Sequence, residues 1–157
     1  MNTWTRRAHL LLTLGGGFTG AAITSVALLN APLSIENVAV LSIALAFYIF
    51  GVVLGIRIAE GGSSRTALLS FYGPQIPLLS SQLVVYRLGS GAHLDFGILA
   101  KQFYWHAQIG CDFEFRLMTS APFGVGINIL AVTMCVLAWR MPSNNRLERS
   151  RVASSLS

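Results

Sequence analysis

The chain has 157 residues, of which 54% are hydrophobic and only 11% are charged, and its formal net charge is +5. An ordinary soluble domain carries roughly 25% charged residues, so this composition argues against a soluble fold. The positive charge gives little support to nucleic-acid binding, because the last arginines cluster directly after an apolar run. Arginines in that position are typical of a membrane border. We therefore expect a lipid bilayer as a partner, and no nucleic acid.

Four apolar runs separate the charged residues. Each is about long enough, as a helix, to cross the roughly 30 Å hydrocarbon core of a bilayer. The runs are residues 8–29, 38–56, 66–86 and 117–139. They predict an all-α, polytopic integral membrane protein with four transmembrane helices in a single domain, residues 1–140.

The first run leaves two interpretations open, because Arg6 and Arg7 before an apolar stretch are also typical of an export signal. The segment resembles a twin-arginine motif, but His9 stands where phenylalanine is usual. Cleavage after Ala31 would require a small residue at position 29, but this residue is leucine. We therefore expect an anchor that is not cleaved.

The third run contains Gly73, Pro74 and Pro77 in its middle. Proline removes a backbone donor and clashes with the preceding turn, so a helix must kink or break here. The freed carbonyl groups need partners in hydrocarbon, and Gln75 and Gln82 are polar enough to supply them. The run is interpreted either as a kinked span or as a re-entrant hairpin.

Residues 87–116 are more polar and rich in aromatic residues, which favour the membrane interface. Apolar residues recur there at near-helical spacing, which predicts a short interfacial helix within residues 94–107. His93, Asp95 and His106 are of metal-ligand and catalytic types, but their spacing matches no zinc motif. We therefore predict no metal, no cofactor and no catalytic residue, and keep these three as the candidates if the protein is an enzyme.

Small residues four positions apart predict close helix packing in three runs. A transmembrane amide at the end of one of these faces predicts an interhelical hydrogen bond. The residues are Gly16, Gly20, Gly51, Gly55, Ser120, Gly124 and Asn128.

Function is the least determined property of this sequence. None of the four runs contains an Asp, Glu, Lys or Arg, so charge-coupled transport has no obvious carrier. The leading hypothesis is a non-enzymatic structural, accessory or interaction role, with a second copy or another membrane protein as the partner. The alternatives are a small transporter or channel that uses the broken third helix and Asn128, and a membrane enzyme that uses the residues 87–116 loop.

The distribution of basic residues predicts the orientation. Four spans with an inner N-terminus place 8 of the 11 basic residues inside, whereas a re-entrant third run gives three spans with 7 inside. We expect a multi-pass protein of the inner membrane with both termini in the cytoplasm.

The chain ends in a polar segment, and residues 141–157 predict a disordered, basic cytoplasmic tail. Residues 144–157, NNRLERSRVASSLS, resemble the tails of hypothetical proteins encoded in bacterial integron gene cassettes. This resemblance implies a bacterial origin and nothing about the folded part.

Overall fold

The computed structural model describes residues 2–30, 32, 34–62 and 64–141. Its first helical segment is continuous from Thr3 to Asn30 and includes one π-helical turn, Leu11–Gly15. The helices of the described chain are α1 (Thr3–Leu10), α2 (Gly16–Asn30), α3 (Ile35–Ala59), α4 (Arg65–Tyr72) and α5 (Ile129–Trp139).

Six strands form one antiparallel sheet in the order β4-β3-β6-β1-β2-β5. The strands are β1 (Pro77–Ser80), β2 (Val84–Gly89), β3 (Ala92–Leu99), β4 (Gln102–Ile109), β5 (Asp112–Leu117) and β6 (Gly124–Asn128). Two-residue turns join β2 to β3, β3 to β4 and β4 to β5, but of these pairs only β3 and β4 are neighbours in the sheet. The β3–β4 turn is made by Ala100 and Lys101, both with positive φ, as a two-residue hairpin requires.

The all-α prediction with four transmembrane helices is wrong, because the fold is mixed α/β. The third run becomes α4, a 3₁₀ turn, β1 and the start of β2, while the fourth becomes the end of β5, a loop, β6 and α5. The interfacial helix expected within residues 94–107 is instead most of the β3–β4 hairpin. An uncharged apolar stretch is equally typical of a buried strand, and its length alone made it look like a span.

Two helical segments of the described chain, Thr3–Asn30 and Ile35–Ala59, are long and apolar enough to cross a membrane by length and composition. The helix α5 has only 11 residues and is too short. Core helices and signal sequences pass the same test, so this finding is only weakly compatible with membrane association. The prediction of a four-span integral membrane protein is therefore wrong, because the third and fourth runs contain strands.

Glycines allow α2 and α3 to pack closely side by side. A β-carbon at Gly20 would lie only 2.2 Å from the ring of Tyr48, whereas one at Gly15 would meet nothing within 4 Å. Tyr48 is fully buried in this contact. The helical hairpin formed by α1–α3 therefore depends on the absence of a side chain at Gly20, which faces α3.

Replacing Gly20 with alanine is expected to lower the free energy of unfolding by about 1–3 kcal/mol, because the added methyl group overpacks the Tyr48 contact. Thermal or denaturant unfolding of the protein in mild detergent measures the change. The matched control is Gly15→Ala in the same helical segment, which gains helix propensity without a clash and should be neutral or stabilising. Equal stability of the two variants would show that the α2–α3 contact leaves room for a methyl group at Gly20.

The sheet is attached to the middle of this hairpin by its tight turns. The Tyr48 hydroxyl donates to the Gly89 carbonyl oxygen at 3.1 Å, and the Ser90 hydroxyl donates to the Leu12 carbonyl oxygen at 3.3 Å. The Cys111 thiol donates to the carbonyl oxygen of Gly16 at 2.9 Å. These bonds fix the β2–β3 and β4–β5 turns on α1–α3, and with them the strand ends beside those turns.

The two faces of the sheet differ in chemistry, because side chains alternate along each strand. One face, called here the apolar face, consists of two cross-strand rows over β4, β3, β6 and β1. Its residues are Phe103, Ile98, Val125 and Leu79 in one row and Trp105, Phe96, Ile127 and Pro77 in the other. The opposite face, called the polar face, carries the ionisable side chains of β2, β3, β4 and β5.

Candidate functional site

The strand register brings charged and imidazole groups together on the polar face. Asp95 of β3 lies directly opposite His106 of β4, and His93 lies two residues before Asp95 on the same face. Arg87 enters from β2, just before the turn that α1–α3 hold in place. The group of His93, Asp95, His106 and Arg87 is called the polar cluster below.

A single guanidinium nitrogen lies at the centre of the polar cluster. Arg87 Nη2 is 2.7 Å from Asp95 Oδ2, 2.9 Å from His106 Nδ1 and 3.3 Å from His93 Nε2. Its Nε lies 3.0 Å from Asp112 Oδ2 on the outer side. Arg87 therefore bridges a buried carboxylate, two imidazoles and a second, half-buried carboxylate.

Burial sets the charge states in the polar cluster. Asp95 is only 1% exposed, and its ion pair with Arg87 offsets the cost of keeping the carboxylate away from water. Burial lowers the pKa of His93, and the neighbouring Asp95 carboxylate opposes this effect. The neutral imidazole can then accept a hydrogen bond from Arg87 at Nε2, as the 3.3 Å distance requires.

Two buried polar atoms of the polar cluster have no hydrogen-bond partner in the described residues, namely His93 Nδ1 and Asp95 Oδ1. Such atoms cost about 1–3 kcal/mol each, and they are rare in native proteins. They are an independent indication that this group has a role other than stabilising the sheet.

An open pocket of about 470 Å³ adjoins the polar cluster. Arg87 and His106 form part of its wall, and Tyr104, Glu114 and Arg116 are further polar groups in it. Burial and the Asp95 carboxylate raise the pKa of Tyr104, so its hydroxyl stays protonated. The pocket has the volume of a small-molecule site and gives solvent access to the exposed His106.

The three candidates named from the sequence converge. One ligating atom from each of His93, Asp95 and His106 lies within 4.8 Å of the others. Convergence within a few ångströms is the condition that the enzymatic hypothesis sets, and that hypothesis stays a prediction. Sequence reasoning missed Arg87. The alternation of polar and apolar residues at 112–116 indicates a strand, but only the structure shows that this strand lies beside the one that holds Arg87.

The residues expected to pack helices fall into two groups. Gly16 and Gly20 lie in α2 and Gly51 and Gly55 in α3, at contacts within the chain. The predicted helix that linked Ser120, Gly124 and Asn128 is absent: they lie in a loop, in β6 and at the N-cap of α5.

The residues predicted to kink a membrane helix instead end one. Gly73 and Pro74 lie in the 3₁₀ turn after α4, and Pro77 begins β1, where its missing N–H is tolerated. Gln75 and Asn128 are buried around a small interior gap with no room for a water molecule, whereas Gln82 lies exposed in the β1–β2 turn. The polar residues named for transport therefore do not line a common water-filled cavity.

No protein-family model, curated protein or solved structure shows a significant match to this chain. The tail that resembles integron-cassette products and the predicted disorder of residues 141–157 lie almost wholly outside the described residues, which end at 141. Proposals about function are therefore based on the physical features of the described part.

Proposed function

We propose that this protein is a membrane-associated, non-enzymatic interaction protein. In this proposal the outward-facing apolar side chains of the α1–α3 hairpin contact the lipid of the inner membrane, and the sheet, which lies outside the hydrocarbon, associates with a second copy of the chain. The observation that carries the proposal is the exposed apolar face, which lies beside two helices of membrane-spanning length.

The surface of the hairpin supports its contact with lipid. Large apolar side chains point outward along both helices, including Phe18, Ile23 and Val26 of α2 and Ile43 and Val53 of α3. Soluble monomers rarely expose contiguous apolar surface of this extent. Exposure of such a surface to lipid carries none of the free-energy penalty that it has in water.

Charges at the two ends of the hairpin support its orientation. Arg6 donates to the carbonyl oxygens of Ile58 and Ala59 at 3.2 and 2.7 Å, so the basic ends of α1 and α3 lie together. The opposite end carries Glu36. Arg65 stacks on Trp139, which places the end of α5 next to the start of α4. By the positive-inside rule the arginine-rich end, and with it both ends of the described chain, lies in the cytoplasm.

The sheet supports association with a second copy. Phe103 and Trp105 of the apolar face are 70% and 65% exposed, and β4 is an edge strand of the described sheet. From Gln102 to Ile109 this edge has no Asp, Glu, Lys or Arg to block pairing. An antiparallel edge can pair with its own copy across a two-fold axis, which is the commonest form of oligomer. Such pairing satisfies the backbone groups of the edge and places the apolar faces of the two copies side by side in one continuous sheet.

The test uses the full chain. It should stay in the membrane fraction after an alkaline carbonate wash and, in mild detergent, have twice the chain mass of 16.9 kDa by light scattering. The double variant Phe103→Lys/Trp105→Lys should still remain in the membrane but be monomeric, because like charges of the two copies would lie side by side on the paired strands.

The matched control is Gln102→Lys/Gln108→Lys, which places the same charges on the same strand but on the polar face. It should remain a dimer. Release of the wild type by carbonate would contradict the membrane proposal. A monomeric wild type that stays in the membrane would contradict the self-association alone.

The convergence of His93, Asp95 and His106 beside an open pocket favours a second candidate function, a membrane enzyme. If the protein is an enzyme, its effect in cells should be lost in the His106→Ala variant and retained in the Phe103→Lys/Trp105→Lys variant. The interaction protein would show the reverse pattern.

A further inference from the structure

Three acceptor atoms of the polar cluster point at one position. His93 Nε2 and His106 Nδ1 lie 3.8 and 3.9 Å from Asp95 Oδ2, and Arg87 Nη2 lies between the three. A guanidinium Nη carries only two hydrogens. It can therefore serve two of these acceptors well, and the third is left with a shared or poor hydrogen bond.

A metal ion at the same position would serve all three atoms at once. Two imidazole nitrogens and one carboxylate oxygen are a ligand set typical of zinc and of other divalent transition metals. Tetrahedral coordination at about 2.0–2.1 Å brings ligand atoms to roughly 3.4 Å from each other. The separations of 3.8 and 3.9 Å from Asp95 Oδ2 need to close by about half an ångström, and the two imidazole nitrogens, which lie within 4.8 Å of each other, by at most about 1.4 Å.

The neighbouring carboxylates favour a cation in the site, and one of them can hold the Arg87 side chain when it moves out. Its side chain is 29% exposed and already contacts Asp112 through Nε on the side away from the cluster. Glu114 is its cross-strand partner on β5. If the guanidinium swings outward, Asp112 keeps it paired, and Asp95 is left free to bind a metal ion.

We propose that His93, Asp95 and His106 form a binding site for a divalent transition metal ion, which displaces the Arg87 guanidinium. The buried Asp95 Oδ1 adds support, because it has no hydrogen-bond partner among the described residues and is a second oxygen of the same carboxylate. The site opens to the pocket beside His106, which leaves a coordination position for water or a ligand. This inference does not depend on the proposed interaction function.

The probe is Co²⁺, titrated into the purified full chain in detergent near neutral pH. We expect one equivalent to bind, with the intense visible absorption of a tetrahedral or five-coordinate site, and Zn²⁺ to abolish the absorption by displacement. His106→Ala should weaken binding by more than about tenfold. Because His106 is exposed, this variant should fold.

The matched control is Gln108→Ala, which truncates the next exposed side chain on the same face of β4 and should bind like the wild type. Arg87→Gln should bind Co²⁺ more tightly than the wild type, because the competing cation is gone, and Co²⁺ should raise its melting temperature by more. Absence of saturable absorption, or equal binding by wild type and His106→Ala, would overturn the proposal. Neither result would affect membrane retention or dimer formation.

Discussion

Replacing Arg87 with leucine is expected to lower the free energy of unfolding by about 3–5 kcal/mol, because Asp95 is then a buried carboxylate without its counter-ion. For a chain of this size the melting temperature should fall by on the order of 10 °C. Unfolding in mild detergent with a chelator present measures the change without interference from metal ions.

The matched control is Arg116→Leu on the neighbouring strand of the same face. Arg116 also pairs with a carboxylate, that of Glu114, but it is 68% exposed, and exposed pairs contribute about 0–1 kcal/mol. A large difference between the two arginine variants is therefore expected. Similar small losses would show that water reaches Asp95 and that the carboxylate does not need Arg87.

The double variant Arg87→Leu/Asp95→Leu separates the ion pair from the packing of its members. A buried pair replaced by apolar residues is often close to neutral, whereas removal of one partner is costly. The double variant should therefore recover most of the stability lost in Arg87→Leu. If the two changes simply add, the two side chains do not interact in the way their 2.7 Å contact indicates.

The hairpin is the part of the fold that the sequence could predict. The first two apolar runs, residues 8–29 and 38–56, lie inside the observed helical segments Thr3–Asn30 and Ile35–Ala59 and end within three residues of their C-terminal ends. Gly20 and Gly51 could be predicted as contact positions because small residues at helical spacing have few other uses in an apolar helix. The residues they contact, Tyr48 and Phe71, could not be chosen from one sequence, since either depends on how the helices turn relative to each other.

The sheet could have been recognised from alternation rather than from length. At Asp112-Phe113-Glu114-Phe115-Arg116 every second residue is polar, which is the period of a strand. In the run from 117 to 139 the absence of charge hid the same period, because Gly124 and Gly126 stand where polar residues would mark the polar face. Hydropathy averaged over a span-length window removes that period-two signal.

The polar cluster depends on tertiary structure in a way that spacing cannot show. His93 and Asp95 are close in sequence, but His106 joins them only through the β3–β4 register. Arg87 joins through the β2–β3 turn, which bonds between that turn and the hairpin hold in place. The types of residue could be named in advance, whereas the cation at their centre could not.

The role predicted for Asn128 from the sequence differs from its role in the structure. An amide that points inward from a membrane helix was expected, to bond across a helix interface. Asn128 instead ends β6 and caps α5, and its Oδ1 accepts from the backbone N–H of Ala131 at 3.2 Å and of Leu94 at 3.3 Å. One buried side chain thus joins a central strand, its neighbour and the last helix.

Replacing Asn128 with alanine is expected to cost about 2–4 kcal/mol, since it removes a helix cap and leaves the backbone N–H groups of Ala131 and Leu94 without a partner. The matched control is Ser64→Ala, which removes the N-cap of α4 at an exposed position, where water replaces the lost bond, and should cost about 1 kcal/mol. Hydrogen exchange of the two amides in Asn128→Ala would show whether the loss arises at this junction. If both amides stay as protected as in the wild type while stability falls, the junction is held by packing, and the two hydrogen bonds to Asn128 contribute little.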